Sequence, residues 1–336
     1  MRTFNAFRIH EIEGKIDARI ESMSVEDLSP GDVLVRVSWS DINYKDALAA
    51  TGAGKILRKF PLVGGIDFAG VVESSSDARY TPGTRVLVTG CGLSETHDGG
   101  YAQFARVPGD WVIPLPTKDS AVDGGMDERT AMALGTAGFS AALAIHRLEH
   151  NGLAPAGGPV VVTGATGGVG SLAIDMLSHR GYQVIAVTGK PQAKEFLTAL
   201  GATQVLARRE INLGARPLER AQFAGAIDNV GGEILTWLTR SMHPWGSIAS
   251  IGLTGGAELK TTVMPFILRG NNLLGINSSA TPRELRLIVW ERIATDLAPR
   301  HLDRIVTRVV PFAELPKAFQ GYMDGTVTGR ALVQIA

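Results

Sequence analysis

The sequence predicts an α/β protein with two domains, one rich in β-strands and one built on a doubly wound parallel sheet. Roughly the first 120 residues hold short strands between Gly, Pro and Asp turn signals, and in Val33–Ser40 apolar and polar side chains alternate. From Val160 onward, short apolar runs alternate with helical patterns, which is typical of a parallel sheet covered by helices on both faces. The length of 336 residues agrees with about two domains.

We expect the first domain to span residues 1–126 and to be completed by residues 300–336, and the second to span residues 127–299. The C-terminal segment contains a strand, a helix and a last strand over Arg330–Ile335. Its pattern alone leaves two placements open, because the last strand could pair with the first domain or extend the sheet of the second.

The second domain shows a regular succession of strands and helices. After its first strand, residues 169–177 carry apolar side chains at i, i+3, i+4, i+7 and i+8, which predicts an amphipathic helix. Pro191 and Gly201 mark the expected start and end of the next helix. The predicted strands are Val160–Thr163, Val184–Thr188, Gln204–Leu206, Gly225–Asn229, Ser247–Ile251 and Leu273–Asn277.

A glycine-rich turn joins the first of these strands to its helix in the stretch "VVVTGATGGVGS", with Gly164, Gly167, Gly168 and Gly170. Glycine lets the backbone approach a pyrophosphate closely, and the helix N-terminus offers N–H groups and partial positive charge. Ala165 occupies the first glycine position, so the turn is a variant of the dinucleotide-binding fingerprint. The alternative is a tight turn that binds no ligand.

The second strand ends in Thr188, Gly189 and Lys190, where many NAD-binding folds carry an acidic residue that binds the ribose. Lys190 follows Gly170 by 20 residues, which is the usual distance to that acid. The Thr188 hydroxyl, the Gly189 backbone N–H and the Lys190 ammonium can all bind a phosphate on the 2′ position of the adenosine ribose. The sequence therefore predicts NADPH as cofactor. Arg208, after the third strand, could close over the same phosphate. The alternative is a solvated turn without a ligand.

The bulk composition excludes several classes of protein. The chain has 33 basic and 33 acidic residues and one cysteine, Cys91. Balanced charge does not favour nucleic acid or a membrane surface as a partner, and one cysteine forms neither an internal disulfide nor a multi-cysteine zinc site. Without a signal-peptide pattern or a long apolar run, a cytoplasmic location is expected.

The segment around residue 70, "GIDFAGVV", together with "TGATGGVGS", resembles the medium-chain dehydrogenase/reductase superfamily. In zinc alcohol dehydrogenases of that superfamily the corresponding segment begins Gly-His-Glu, and its His binds zinc. This chain has Ile66 and Asp67 in place of the His and the Glu, so it resembles the zinc-free branch. The strings "NYKDALAATGAGKILRKFPLVGGIDFAG", "GTAGFSA", "AGAIDNVGG" and "TTVMPFILRG" are similar to the acryloyl-CoA reductase group, whose members are also described as YhdH-type quinone oxidoreductases.

The resemblance implies a Rossmann NADPH domain, a GroES-like catalytic domain and a reaction without metal. It implies reduction of the C=C bond of a 2-enoyl thioester, acryloyl-CoA, to propanoyl-CoA. Tyr44, in a predicted loop after the Val33–Ser40 strand, is expected to contact the nicotinamide and to donate the proton. Asn43 is expected to position groups or to donate a hydrogen bond, and Asp67 to hold Lys45 or to cap a turn. Alternatively, Tyr44 only packs on the cofactor and water gives the proton.

The resemblance also implies further cofactor contacts, spread over the turn, the later strands and the C-terminus. Core packing is the alternative role for Leu253 and Ile267. If CoA is the handle of the substrate, Lys55, Arg58 and Lys59 could meet its phosphates, and a purely solvating role is the alternative. The implied contacts are Thr166, Gly167, Gly168 and Val169 at the pyrophosphate, Leu253 near the nicotinamide, Ile267 and Ser278 on the far wall, and Arg330 from the C-terminal segment.

Two other functions stay open from the sequence. One is an NADPH-dependent quinone reductase, and the other is a non-catalytic NADPH-binding module. Relatives of this type often pair through a sheet edge, so a homodimer formed through "NNLLGINSS" is expected.

Overall fold

The protein is described by a computed structural model that covers residues 2–116 and 125–336. The chain divides into two compact units. Unit 1 contains Met1–Thr136, Ser279–Ala294 and Val306–Ala336, and unit 2 contains Ala137–Ser278 and Thr295–Ile305. Residues 117–124, within the predicted first domain, lie outside the described residues. The domain bounds expected from the sequence stay a prediction.

Strands and helices are numbered in chain order. The strands are β1 Thr3–Ile12, β2 Lys15–Ser24, β3 Val33–Ile42, β4 Leu62–Val63, β5 Asp67–Ser75, β6 Arg85–Thr89, β7 Phe104–Val107, β8 Ile113–Pro114, β9 Val160–Thr163, β10 Val184–Thr188, β11 Gln204–Ala207, β12 Phe223–Asp228, β13 Met242–Ser250, β14 Asn272–Gly275, β15 Val306–Pro311 and β16 Arg330–Gln334. The α-helices are α1 Tyr44–Thr51, α2 Glu128–His150, α3 Gly168–His179, α4 Lys194–Ala199, α5 Gly232–Ser241, α6 Met264–Arg269, α7 Arg283–Ala294, α8 Leu302–Ile305 and α9 Gln320–Met323. Short 3₁₀ helices cover Val25–Asp27, Gly109–Trp111, Pro155–Gly157, Pro191–Ala193, Arg208–Glu210 and Phe312–Lys317.

Unit 1 is built on a mixed sheet with the order β15-β16-β3-β5-β6-β8, to which β7 adds by pairing with β3. A smaller sheet has the order β2-β1-β4. The alternating side chains of β3 bury Val33, Val35 and Val37 in the core of this unit, as a half-buried strand should. Strand β16 lies antiparallel to β3, with Ala331 opposite Ile42, so the C-terminal strand returns to the first sheet.

Unit 2 is a parallel sheet with the order β11-β10-β9-β12-β13-β14. Counted from β9, this is the 3-2-1-4-5-6 order of the dinucleotide-binding fold, and the predicted doubly wound sheet is confirmed. All the predicted strands of this unit are present, with ends displaced by a few residues. Apolar side chains such as Val161, Val187 and Ile248 are buried between the sheet and its helices. In the part of the chain that is described, no helix is both long and apolar enough to cross a bilayer.

Candidate active site

The segment that carries Tyr44 begins a helix at the end of β3, and the predicted loop there is wrong. Asn43 has extended backbone angles, and its N–H donates to Asp46 Oδ2 at 2.8 Å. A carboxylate three residues into the helix satisfies the N-cap N–H group in this way, so the helix starts directly after the strand. Helix α1 is only eight residues long, which is too short to show a clear helical period in the sequence.

Asn43 lies in a buried polar network of unit 1. Its amide donates to Asp41 Oδ1 at 2.7 Å and to Asp67 Oδ2 at 2.9 Å. Its oxygen accepts from the Arg330 guanidinium at 3.1 Å. Both amide hydrogens and the oxygen are therefore engaged, which supports the positioning role for Asn43 over that of a donor to substrate.

Arg330 is 2 % exposed and supplies the positive charge of this network. It donates to Asp41 Oδ2 at 2.5 Å and to the carbonyl of Ala133 at 3.1 Å. Burial is the largest single influence and acts to lower the pKa of Arg330, but Asp41, Tyr322, Asp67 and Asp46 together raise the pKa above its ordinary value. The predicted contact of Arg330 with the cofactor stays a prediction. Its observed partners support a role in fixing Asp41 and Asn43.

Asp67 connects the network to the kink in α2. It accepts from the backbone N–H of Thr136 at 2.7 Å and from its hydroxyl at 2.5 Å. The expected partnership of Asp67 with Lys45 is wrong, because Lys45 forms its ion pair with Glu95. The sequence analysis did not identify Thr136 as a residue of this network. Thr136 lies in the string "GTAGFSA", which was noted there only for its family resemblance.

Gly135 makes room for the network where α2 kinks. It has φ 50° and ψ −154°, which interrupts the helix in a region that side chains rarely adopt. A Cβ at this position would lie 1.9 Å from Asp41 Oδ2 and 2.8 Å from Asp67 Oδ2. Only glycine therefore lets the chain pass beside these two carboxylates.

Asp46 is a third buried carboxylate of unit 1. Its Oδ1 accepts from the Ile66 N–H at 2.9 Å, and its Oδ2 accepts from Asn43. Burial raises the pKa of Asp46 to about 7. Asp41, Asp46 and Asp67 thus lie near a single buried guanidinium, and this arrangement fixes the backbone on both sides of Tyr44 rather than presenting charge to solvent.

The Tyr44 side chain takes no part in these hydrogen bonds. Its side chain is 43 % exposed, and within residues 2–116 and 125–336 its hydroxyl has no hydrogen-bond partner. The backbone before it is held by Tyr101, whose hydroxyl donates to the Asp41 carbonyl at 2.8 Å, and by Tyr322, which donates to the Ile42 carbonyl at 2.9 Å. A fixed backbone with an available phenol suits a proton donor.

In unit 2, the glycine turn has the geometry of an anion-binding helix start. Gly164 has φ 58°, and α3 begins at Gly168 with Gly167 as its N-cap. In the first turn of a helix the N–H groups lack intrahelical acceptors, and they carry partial positive charge. Thr166 is buried, whereas Gly167 and Val169 are half-buried. The turn can therefore cradle a pyrophosphate, and these individual contacts stay predictions.

Gly170→Ala should destabilise the protein, because the new Cβ would lie 2.4 Å from the carbonyl oxygen of Gly164 and 2.8 Å from Ala165 Cα. Both are backbone atoms, and overpacking of this kind costs about 1–3 kcal/mol. Gly189→Ala is the matched control, since nothing lies within 4 Å of its Cβ position. Urea unfolding of both variants checks the difference, and equal midpoints would contradict the close packing of α3 on the turn.

The carboxyl ends of β10 and β11 bring the predicted phosphate ligands together. Thr188 is opposite Ala207 in the parallel register, so Arg208 follows directly beside the end of β10. The Thr188 hydroxyl accepts the Lys190 N–H at 3.0 Å. Burial lowers the pKa of the half-buried Lys190, whereas Arg208 is exposed. Lys190 and Arg208, both cationic, thus follow the ends of neighbouring strands, with Gly189 between Thr188 and Lys190. Neither of these two strands ends in an acidic residue.

The remaining predicted contacts lie on the surface of unit 2 or at its end. Leu253 is 66 % exposed and Ile267 is 71 % exposed, so the alternative that they pack in the core is wrong. Ser278 is half-buried. Their contact with a cofactor stays a prediction.

Comparisons with family profiles and with known proteins point to the same family. The profile described as "Alcohol dehydrogenase GroES-like domain" matches residues 29–117, and the one described as "Zinc-binding dehydrogenase" matches residues 168–295. The chain is similar to acrylyl-CoA reductase AcuI of Ruegeria pomeroyi, with 48 % identity and 99 % coverage of both chains. It is also 44 % identical to YhfP of Bacillus subtilis, which carries a quinone oxidoreductase name, again with 99 % of both chains covered.

Solved structures of such relatives have the same fold. The yhdH oxidoreductase of Salmonella enterica in complex with NADP superposes with a TM-score of 0.94 at 44 % identity, over 99 % of this chain and 100 % of that one. Bacillus subtilis yhfP with NAD bound gives a TM-score of 0.95 at 44 % identity, with the same coverage. The chain therefore belongs to the medium-chain dehydrogenase/reductase superfamily, as a homologue of the AcuI and YhdH proteins.

Proposed function

We propose that this protein reduces the C=C bond of acryloyl-CoA, a 2-enoyl thioester, to propanoyl-CoA with NADPH and without a metal ion. The observation that carries the proposal is the 48 % identity to an acrylyl-CoA reductase over 99 % of both chains. The glycine turn and the cationic strand ends of unit 2 agree with a phosphorylated dinucleotide, and the Tyr44 segment of unit 1 agrees with proton donation.

NADPH, when bound, supplies the hydride that adds to the β-carbon of the thioester. The chain's own task is to bind both molecules and to manage the charge that results. Negative charge develops on the thioester oxygen, and hydrogen-bond donors or cations must stabilise it. In this proposal Tyr44 Oη gives a proton to the α-carbon, while Asn43, Asp41 and Arg330 keep its backbone in position.

The donor set of unit 1 does not fit a zinc ion, although one matching profile is named for zinc. Asp41 and Asp67 already accept hydrogen bonds from Asn43, Arg330 and Thr136. Over residues 2–116 and 125–336, no group of three or more His, Cys, Asp or Glu side chains is arranged to hold a metal.

The strand-end cations should set the cofactor preference. Thr188→Asp combined with Lys190→Ala is expected to raise the KM for NADPH by roughly 100-fold, because two charge-assisted hydrogen bonds to the 2′-phosphate are lost. The KM for NADH should change far less. Steady-state kinetics with both cofactors check this, and equal changes would refute the phosphate assignment. The NAD bound to the YhfP relative makes this comparison informative.

Side-by-side assays of NADPH consumption test the substrate. The proposal expects much faster turnover with acryloyl-CoA than with a simple quinone. The quinone name of YhfP favours the alternative of an NADPH:quinone oxidoreductase, which predicts the opposite ratio. Bound NADPH that is not oxidised with either substrate would instead favour a non-catalytic NADPH-binding protein.

Assembly and location belong to the same proposal. β14 is an edge strand of its sheet, and exposed apolar side chains lie on and near it. These are Trp245, Val263, Ile267, Leu268 and Leu273. They support a homodimer, and sedimentation of a monomer at micromolar concentration would disprove it. We infer a cytoplasmic enzyme from the single cysteine and the balanced charge, and cell fractionation tests this.

A further inference from the structure

Unit 1 contains a cavity of about 780 Å³ in which arginines predominate among the charged side chains. We propose that this arginine cavity binds the phosphates of the CoA handle of the substrate, through Arg58, Arg283 and Arg286. The assignment rests on the proposed function, because it names how that substrate is held. Its volume lies within the range of about 300–1,000 Å³ that is usual for small-molecule sites.

Two of the arginines are held in place by neutral oxygens of the protein. Arg286 is 1 % exposed and donates to the carbonyl of Thr89 at 2.9 Å and to that of Ser279 at 3.3 Å. Arg283 donates to the carbonyl of Val112 at 2.7 Å. These contacts fix the direction of each guanidinium, and those of Arg283 are to uncharged oxygens. A pre-oriented guanidinium is well suited to phosphate, which it can meet with two parallel hydrogen bonds.

Two of the three carboxylates that line the described cavity wall already have an ion-pair partner. Glu95 forms an ion pair with Lys45, and Asp110 forms one with Arg79 at 2.7 Å. Among the described lining residues, Glu284 is the one remaining carboxylate, against Arg58, Arg283 and Arg286. Neither Arg58 nor Arg283 lies within ion-pair distance of a carboxylate in the described part of the chain. The cavity therefore attracts anions.

Other features of the cavity suit the adenine ring and the pantetheine arm of CoA. Trp111 lines it, and an aromatic side chain suits the adenine ring that CoA carries beside its phosphates. Glu95 in its wall is joined by an ion pair to Lys45, the residue after Tyr44. Because the pantetheine arm of CoA is long, the phosphates must lie well away from the thioester that reacts near Tyr44. The phosphates of NADPH have their own predicted site, the glycine turn of unit 2.

The test compares two thioesters that differ only in the phosphorylated handle. Arg58→Gln should raise the KM for acryloyl-CoA about tenfold, the loss of one charge-assisted hydrogen bond, and leave kcat unchanged. The KM for acryloyl-pantetheine, which has no nucleotide, should not change. Arg58 is chosen because it is exposed, whereas Arg283 and Arg286 hold backbone carbonyls and their loss could prevent folding. Arg308→Gln is the matched control, since Arg308 is exposed but does not line the cavity.

Three results would overturn the assignment. The first is an equal effect of Arg58→Gln on both thioesters, or no effect on either. The second is an equal effect of Arg308→Gln on the KM for acryloyl-CoA. The third is competition by inorganic phosphate as strong as that by CoA at the same concentration, since this would mean a general phosphate site.

Failure of the proposed function gives a different result. If the wild-type protein reduces neither thioester, the reaction is wrong, and calorimetry still tests the cavity. CoA should then bind the wild type about tenfold more tightly than the Arg58→Gln variant, and pantetheine should not distinguish them. Equal affinities of CoA for the two proteins would overturn the site itself.

Discussion

Arg330→Ala is expected to lower the free energy of unfolding by about 3–5 kcal/mol, because it removes one partner of a buried, hydrogen-bonded ion pair. Asp41 is fully buried, and Arg330 donates to it at 2.5 Å. Without the guanidinium, Asp41 remains near the other two buried carboxylates, Asp46 and Asp67, with only the Asn43 amide to stabilise it. Urea unfolding at neutral pH measures the loss. Turnover should fall as well, since Asn43 loses the hydrogen bond that orients its amide.

Arg308→Ala is the control for this change. Arg308 is exposed on β15, the strand beside β16, and an exposed substitution of this kind usually alters stability by less than about 0.5 kcal/mol. Arg330→Lys should give an intermediate loss, because an ammonium keeps the charge but not the planar fork. Equal small losses for Arg330→Ala and Arg308→Ala would mean that the buried network does not hold unit 1 together.

Tyr44→Phe is expected to lower kcat on acryloyl-CoA by about 100-fold or more, the usual contribution of a positioned general acid. The hydroxyl is available to a substrate, and the change leaves the fold of α1 intact. The KM for NADPH should stay nearly constant, since the phosphate ligands lie in unit 2. Stopped-flow and steady-state rates measure the two quantities separately.

Tyr322→Phe is the matched tyrosine control. Its hydroxyl donates to the Ile42 carbonyl at 2.9 Å, so its removal should lower stability slightly. Turnover should fall far less than in Tyr44→Phe, because Tyr101 still holds the Asp41 carbonyl. If Tyr44→Phe turns over thioester as fast as the wild type, water supplies the proton and Tyr44 has a packing role.

Much of unit 2 could be predicted because its signals are local. The glycines, the helix period after them and the strand end at Thr188–Lys190 fall within about 30 consecutive residues, as expected for a βαβ unit. Each observed strand of the sheet coincides with a short apolar run.

The buried network could not be predicted, because it depends on residues far apart in the chain. Arg330 and Asp41 are separated by 289 positions, and Thr136 and Asp67 by 69. No periodicity records such pairs, and a charged residue in a strand is usually exposed. For the same reason the sequence suggested Asp67 as the partner of Lys45, which instead pairs with Glu95.

Isotope tracing of the product tests the central claim most directly. Acryloyl-CoA is reduced with NADPH carrying deuterium at nicotinamide C4, and in a second reaction with unlabelled NADPH in deuterated water. The account predicts cofactor deuterium only on the β-carbon of propanoyl-CoA and solvent deuterium only on the α-carbon, as read by NMR. Cofactor deuterium on the α-carbon, or NADPH consumed without any propanoyl-CoA, would contradict it.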